Sequence, residues 1–174
     1  RWRIFIESPP LEYLSEEKVI GLYGELLFLK KIAQFSPEKA IECWSANSSR
    51  DKSVDFKFSN DYFEIKSTLK NVHTHRINGL KQLEVIENIN KFLVSIRLKF
   101  DSGDNGLSLA SLVNQCLDLL GSEKLIYAYL KSLKKFGYDM RDEDHYFNSI
   151  FECIDAKVFK VDSYFPKITE LSVK

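Results

Sequence analysis

The chain has 174 residues, and its 25 Lys and Arg balance 25 Asp and Glu to a formal net charge of +0. Its length favours one domain, and 44% hydrophobic with 29% charged residues excludes an intrinsically disordered chain and a collagen-like repeat. A neutral sum also argues, at first sight, against a nucleic-acid-binding protein, because such proteins usually carry a basic surplus.

The first predicted element is a helix that begins at Ser15 and runs to about Gln34. Ser15 is a favoured N-cap residue, and the two glutamates after it suit the positive end of the helix dipole. Apolar residues recur along this segment at helical spacing: Val19, Leu22, Tyr23, Leu26, Leu29 and Ile32. The pattern therefore predicts a helix that packs one face against a core.

Two short strands are predicted next, Ser53–Ser59 and Tyr62–Thr68, with a two-residue hairpin turn at Asn60 and Asp61. Side chains alternate between the two faces of a strand. One face of the hairpin then holds four apolar residues, Phe56, Phe58, Phe63 and Ile65. The other face holds four charged residues, Asp55, Lys57, Glu64 and Lys66. We expect the apolar face to lie on the core.

The second half of the chain predicts one more strand and two helices. The strand covers Phe92–Phe100, and a turn follows at positions 101–106. The first helix runs from about Leu107 to Leu120, and the second begins with Ser122 as its cap and stops at Gly137.

The last segments are an acidic loop over Asp139–His145 and paired strands over about Tyr146–Val161. The order of helix, strands, helices and strands predicts an α/β or α+β domain with a mixed sheet. We expect a single domain over residues 1–174, with a core at about 14–100 and C-terminal helices and strands at 107–166.

The charged face of the hairpin gathers two carboxylates and an ammonium. In the predicted register Asp55 lies opposite Lys66, and Glu64 is its diagonal neighbour. Mg²⁺ takes one or two carboxylates, completes its shell with waters and substrate phosphate, and stabilises displacement at phosphorus. The carboxylates favour a charged Lys66, which argues against a simple general base. A surface hairpin with cross-strand ion pairs is the alternative interpretation.

Two further features favour a functional site. Glu25 lies on an otherwise apolar helix face, where a carboxylate is costly unless it is paired or metal-bound. Gly21 and Gly24 flank it, although glycine inside a helix costs about 1 kcal/mol against alanine, which predicts a close helix–sheet approach. A donor-rich stretch suited to phosphates follows Lys66: Ser67, Thr68, Lys70, His73, His75 and Arg76. The alternatives are an edge glutamate that reaches solvent and a solvated loop.

Charge is segregated along the chain. Positions 61–100 hold seven Lys and Arg against four Asp and Glu, whereas positions 139–155 hold one against six. Lysines at 131, 134 and 135 add a basic helix end, which also suits the helix dipole. The net charge of zero therefore limits only the long-range, non-specific attraction of the chain to a nucleic acid.

Compartment signals are few. Three widely spaced cysteines, Cys43, Cys116 and Cys153, favour reduced thiols in a cytoplasmic protein over a disulfide framework. No stretch approaches the ~18 apolar residues of a membrane span. The chain begins at Arg1 rather than Met, so we expect a processed chain or a fragment of a longer protein.

These motifs together resemble the PD-(D/E)xK nuclease superfamily, and more narrowly a bacterial group found near restriction–modification genes. The group has a GLxGEL helix, a tryptophan strand, a D-F pair and an E-x-K-S-T strand. A Q-L pair and a closing V-x-x-x-F-P motif follow. The matching residues are Gly21–Leu26, Trp44, Asp55-Phe56, Glu64–Thr68, Gln82-Leu83 and Val161–Pro166. The sequence departs from the pattern at Val54, where the motif name has a proline that carries no ligand.

The resemblance implies a restriction-endonuclease-like core, in which a mixed central sheet is flanked by helices. It implies metal ligation by Asp55, Glu64 and the backbone carbonyl of Ile65, with Mg²⁺ as cofactor and Mn²⁺ as a substitute. It also implies a catalytic role for Lys66 and an accessory acidic role for Glu25. Residues expected to contact DNA are Ser67, Thr68, Lys70, His73, His75, Arg76 and Gln82.

The leading hypothesis is therefore a metal-dependent endonuclease that hydrolyses double-stranded DNA, a type II restriction or defence enzyme of the bacterial cytoplasm. A homodimer and a cognate methyltransferase encoded at the same locus are the expected partners. The alternative is an inactive nuclease-like module for DNA binding or assembly. A third option is an enzyme of the same fold that cuts RNA or branched DNA.

Overall fold

The computed structural model describes residues 13–44, 54–75, 87–101 and 105–165. Five helices and five strands lie in these ranges. They are α1 (Glu16–Ala33), α2 (Pro37–Cys43), β1 (Phe56–Phe58), β2 (Asp61–Thr68), β3 (Asn90–Phe100), β4 (Leu107–Ser108), α3 (Leu109–Asp118), α4 (Glu123–Phe136), α5 (Glu143–Tyr146) and β5 (Ile150–Val161). A short 3₁₀ helix, Met140–Asp142, precedes α5.

The strands form one mixed sheet in the order β1-β2-β3-β5-β4. β2 and β3 run parallel, and the other neighbouring pairs are antiparallel. The predicted α+β class with a mixed central sheet and flanking helices is confirmed, and the architecture is consistent with a restriction-endonuclease-like core. Within the described ranges, no helix is long and apolar enough to cross a membrane.

Helix α1 forms as its sequence predicts. The Ser15 side chain accepts a hydrogen bond from the Lys18 N–H at 3.4 Å, which caps the first turn, and Gln34 is the C-cap. The buried face includes Leu22, Leu26 and Leu29, and it packs on β2 and α3. This packing fixes the position of Glu25, which lies on the same helix.

The close helix–sheet approach is confirmed at one of the two glycines. A Cβ built on Gly24 would lie 1.8 Å from Ser67 Oγ and 3.2 Å from Ser67 Cβ. Nothing lies within 4 Å of a Cβ built on Gly21, so that explanation does not apply there. Gly24 therefore sets the distance between α1 and β2.

The predicted register of the hairpin is wrong by two residues. Phe56 pairs with Phe63, and Phe58 pairs with Asp61, so the turn is Ser59-Asn60, with Ser59 in the left-handed region at φ 49°. Asp61 begins β2 because its carboxylate accepts a hydrogen bond from Asn90 Nδ2 at 2.8 Å, at the start of β3. A shift of two keeps every side chain on its predicted face.

Two other predictions for the C-terminal part are corrected. The segment predicted as paired strands is the end of α5 followed by the single long strand β5. The segment predicted as an acidic loop holds the 3₁₀ helix and α5, because Asp139 caps this turn by accepting from the Arg141 N–H at 2.9 Å. Helix α2 was not predicted, although Ser36 and Pro37 are a standard start signal.

The two faces of the sheet are covered differently. The main hydrophobic core packs α1, α3 and α4 against the face that carries Phe56, Ile65, Val94 and Ile96. On the opposite face, a separate small apolar cluster contains Leu93 and Val161, with Phe165 packed against it. The remainder of that opposite face is polar along β2, β3 and the middle of β5, and it carries the candidate site.

Candidate active site

Asp55 and Glu64 are adjacent across the hairpin. The Asp55 N–H donates to the Phe63 carbonyl at 3.0 Å, and one carboxylate oxygen of Asp55 accepts from the Ile65 N–H at 2.7 Å. Continuing the strand register by one residue places Asp55 opposite Glu64 rather than opposite Lys66. The structure therefore brings the two carboxylates closer than the predicted register did.

Lys66 lies on the same face of β2, two residues after Glu64. Its Nζ is 2.6 Å from Glu64 Oε1, while the Glu64 side chain is almost fully buried and the Lys66 side chain is 24% exposed. The ammonium group therefore contacts a buried carboxylate, while part of the Lys66 side chain is accessible to solvent. This ion pair holds the Lys66 ammonium beside the acidic patch.

Burial and mutual repulsion disfavour the charged forms of these two acids. Burial raises the pKa of Glu64 to about 7, and the nearby Asp55 carboxylate adds to the rise, while Lys66 and Lys91 oppose it. The pKa of Asp55 is also raised by burial, and the hydrogen bond from the Ile65 N–H opposes that rise. A cation between the two acids would relieve this cost.

Glu25 projects from α1 toward the same patch. Its side chain accepts a 2.7 Å hydrogen bond from Trp44 Nε1, and both residues are buried. Burial raises the pKa of Glu25 well above its usual range, and the Asp55 carboxylate adds to the rise. The structure thus gathers Glu25, Asp55, Glu64 and Lys66 into one electrostatic unit, and their roles stay a prediction.

Trp44 is a member of this site that sequence reasoning did not connect to Glu25. Its ring is fully buried and stacks on Phe136, with centroids 5.5 Å apart, while its backbone forms an isolated bridge with Phe56. Only the packing of α4 and β1 around the ring directs its N–H at Glu25. No spacing along the chain signals that contact.

The donor set fits Mg²⁺ in part. Within the described ranges, no three His, Cys, Asp or Glu side chains converge as a metal site. Mg²⁺ does not need three, because it is usually held by one or two carboxylates and waters. Asp55 and Glu64 supply two buried carboxylates side by side. Ligation by these two groups and by the Ile65 carbonyl stays a prediction.

The predicted DNA-contact residues occupy different surroundings. Ser67 Oγ is buried against Gly24 and has no hydrogen-bond partner among the described residues. Thr68 Oγ1 accepts from the Lys70 N–H at 3.1 Å, and Lys70 itself is exposed. Arg76 and Gln82 lie outside the described residues. DNA contact by this set stays a prediction.

The two histidines after β2 converge on one buried serine. His73 Nδ1 lies 2.6 Å and His75 Nε2 lies 2.5 Å from Ser95 Oγ, and Ser95 is fully buried on β3. His73 Nε2 lies 3.1 Å from Asp155 Oδ2 on β5. Sequence reasoning named the histidines but missed Ser95 and Asp155, which the pairing of three strands brings together.

Arg97 completes this group of side chains. Its Nε donates to Asp155 Oδ1 at 2.5 Å, and its Nη1 donates to the Asn71 carbonyl at 2.5 Å. The segment that follows β2 is therefore tied at three points, Asn71, His73 and His75, to strands β3 and β5. Ser95 is also the cross-strand partner of Lys66, which places this group beside the acidic patch.

The fold and this acidic patch define a nuclease-like class of protein. The whole chain, residues 1–174, matches a family model described as "Putative PD-(D/E)XK family member, (DUF4420)". The chain belongs to this family, and so to the PD-(D/E)XK superfamily that its motifs resemble. Neither the curated proteins nor the solved structures contain a match to the chain.

Proposed function

We propose that this protein is a metal-dependent endonuclease that hydrolyses phosphodiester bonds in double-stranded DNA. The observation that carries the proposal is the convergence of Asp55, Glu64 and Lys66 on one patch of β1 and β2, with Glu25 buried beside it. A patch of adjacent buried acids destabilises a fold, so its presence favours a function for it.

In this proposal, Asp55 and Glu64 hold the metal, and the Ile65 carbonyl is the third protein ligand. Mg²⁺ is the proposed ion, and Mn²⁺ substitutes for it. When bound, such an ion supplies Lewis-acid stabilisation of charge at phosphorus and lowers the pKa of a bound water. Asp55 and Glu64 would hold the ion at the hairpin, where Asp55 Oδ2 already accepts a hydrogen bond from the Ile65 N–H.

Lys66 is proposed to stabilise the negative charge that develops on the phosphate. Its ammonium is held 2.6 Å from Glu64 and is partly open to solvent, so it is available to a substrate oxygen without rearrangement. Glu25 is proposed to tune the patch, because its Trp44 hydrogen bond keeps it directed at the acids.

The wider proposals concern substrate, partners and compartment. A type II restriction or defence role, a homodimer, a cognate methyltransferase and a bacterial cytoplasmic location all follow from the resemblance to the restriction-linked group. The segment after β2, with Lys70 and the two histidines, is the proposed DNA-facing side. We also propose that residues 1–174 form a single domain.

Plasmid cleavage tests the activity directly. Wild type, Asp55→Ala and Glu64→Gln are incubated with supercoiled plasmid and Mg²⁺ or Mn²⁺, and nicked and linear forms are quantified. We expect wild-type cleavage to fall about 10³-fold or more in both variants. Asp61→Asn is the matched control, because it removes a carboxylate from the same hairpin outside the patch. A wild type that never nicks excludes the endonuclease.

An inactive nuclease-like module is the second candidate. The short Glu64–Lys66 ion pair favours it, because an internal ion pair satisfies both groups without a metal. Calorimetric titration with Mn²⁺ separates the two candidates. Binding that disappears in Glu64→Ala contradicts the module, whereas the absence of binding in wild type contradicts the metalloenzyme. Parallel assays on RNA and branched DNA test the third option.

A further inference from the structure

Hydrolysis needs a group that takes a proton from the attacking water. In the proposed site Asp55 and Glu64 are assigned to the metal, and Glu25 is buried against Trp44. Lys66 is a cation paired with Glu64, so it has no lone pair to accept a proton. The neighbouring side chains of β3, β5 and the segment after β2 include two imidazoles, those of His73 and His75. The hydrogen bonds of this neighbouring group determine where the imidazole protons lie.

The order of donors and acceptors in this group follows from Asp155. The Arg97 guanidinium and His73 hold the pKa of Asp155 below its usual range, so Asp155 is a carboxylate and can only accept. His73 must then carry its proton on Nε2. In neutral His73, Nδ1 is an acceptor, so the Ser95 hydroxyl donates to it.

The same reasoning assigns the proton of His75. When His73 is neutral and the Ser95 hydroxyl donates to it, the Ser95 oxygen accepts from His75, which therefore donates from Nε2. Burial lowers the pKa of His75 to about 4, and any proton that His73 gains adds to the fall, as do the positive charges of Lys66 and Lys70, so His75 is neutral near pH 7. Its Nδ1 is therefore a lone-pair acceptor rather than a donor.

This tautomer changes the expected role of His75. A neutral imidazole that presents a lone pair at Nδ1 cannot donate a hydrogen bond to a phosphate oxygen from that atom. It suits a partner that carries a proton, such as water. Ser95 is paired with Lys66 across β2 and β3, about 5 Å apart in strand spacing, so His75 lies next to the proposed catalytic patch.

We propose that His75 Nδ1 accepts a proton from the attacking water, and that Ser95, His73 and Asp155 are positioning residues that carry this proton away. The proposal rests on the nuclease function above. As the water O–H bond breaks and the oxygen bonds to phosphorus, Nδ1 takes the proton. His75 Nε2–H passes to Ser95 Oγ, and the Ser95 hydrogen passes to His73 Nδ1.

The extra proton resides on His73 during the reaction and is then released to solvent. His73 becomes an imidazolium that is stabilised by the Asp155 carboxylate, and the bond from phosphorus to the leaving nucleoside oxygen breaks. The leaving oxygen takes a proton from solvent water, and His73 later returns its extra proton to solvent. Arg97 takes no proton, but it holds both Asp155 and Asn71 in place.

Steady-state cleavage of a defined duplex with Mg²⁺ tests the proposal. His75→Ala should lower kcat about 100-fold and leave KM unchanged, because general base catalysis typically contributes 10²–10⁴-fold. Imidazole added to the buffer should restore part of the His75→Ala rate. Thr74→Ala is the matched control, because Thr74 lies between the two histidines, is exposed and should leave kcat unchanged.

The positioning residues are tested by the pH profile. Wild-type kcat should fall at acid pH, once one of the two imidazoles already carries a proton. Asp155→Asn should move this acid limb to a different pH, and Ser95→Ala should lower kcat without changing KM. A wild-type pH profile in Asp155→Asn would contradict the relay.

Two outcomes separate this inference from the proposed function. An inert wild type overturns the nuclease and His75 together, whereas an active wild type matched by His75→Ala overturns the role of His75 alone. Nitrogen-15 chemical shifts of the His75 ring provide a readout that does not depend on folding of a variant. Protonation of Nε2 at neutral pH supports the assignment, and protonation of Nδ1 overturns it.

Discussion

The two faces of the central sheet are built on opposite physical principles. The face toward α1, α3 and α4 is apolar and buried, with Phe56, Ile65, Val94 and Ile96 in one continuous core. The opposite face places Glu64, Lys66, Ser95, Arg97 and Asp155 next to one another on β2, β3 and β5. Burial of the first face stabilises the fold, whereas the buried charges of the second face destabilise it.

The comparison separates residues that stabilise the fold from residues that the fold tolerates. Substituting an apolar residue of the core face should unfold the protein. Substituting Asp55 or Glu64, whose pKa values are raised by burial, should leave the fold intact or improve it, while any activity is lost. Substitutions on the two faces should therefore change the stability of the fold in opposite directions, as expected where a functional site keeps unfavourable groups close together.

The largest effect is expected on the core face. Phe56→Ala should lower the free energy of unfolding by about 3–5 kcal/mol, because the ring is fully buried and contacts Phe28 and Trp44. Urea denaturation measures it. Lys57→Ala, one residue away on the other face, is the control. If the two variants had equal midpoints, the division between the two faces would be incorrect.

The second effect concerns the approach of α1 to β2. Gly24→Val should cost about 2 kcal/mol, because its Cβ would meet Ser67 Oγ at 1.8 Å and force the helix away from the sheet. Gly21→Val is the control, since a Cβ there meets nothing within 4 Å. Thermal melts of both variants test the prediction, and equal losses would contradict it.

The third effect has the opposite sign. In metal-free protein the pKa of Glu64 is raised from 4.5 to about 7, so its burial costs no stability below about pH 4.5, and the free energy of unfolding falls as pH rises from 4.5 to about 7 and stays lower above that. Glu64→Gln should remove this loss and raise the free energy of unfolding at pH 8 by about 1–2 kcal/mol. Denaturation in chelator at pH 4.5 and 8 measures the difference. No gain at pH 8 would contradict it.

The smallest effect concerns Glu25. Trp44→Phe keeps most of the buried ring and removes the N–H that donates to Glu25 at 2.7 Å. We expect a loss of about 1 kcal/mol, the usual net value of one buried hydrogen bond. The double variant Trp44→Phe with Glu25→Ala completes a double-mutant cycle, because alanine removes the acceptor, whereas the amide oxygen of glutamine would keep it. Strict additivity of the two changes would indicate that the hydrogen bond contributes nothing.

Local rules predicted the elements better than the connections between them. The cap at Ser15, the helix stop at Gly137 and the strand at Phe92–Phe100 are confirmed, because each depends on neighbouring residues alone. The hairpin turn was displaced because Asp61 bonds Asn90 on another strand. The final paired strands were wrong because β5 finds its main partner in β3, distant in sequence.

The sequence by itself determined the α+β class, the alternation that separates Phe56 and Ile65 from Asp55 and Glu64, and the place of Glu25 on the apolar face of its helix. These follow from periods of 2 and 3.6 residues, which a shift of two does not alter. Only the tertiary structure decided that Trp44 faces Glu25 and that Ser95, His73 and Asp155 meet. Those contacts join residues more than eighteen positions apart, and no local pattern encodes the packing that brings them together.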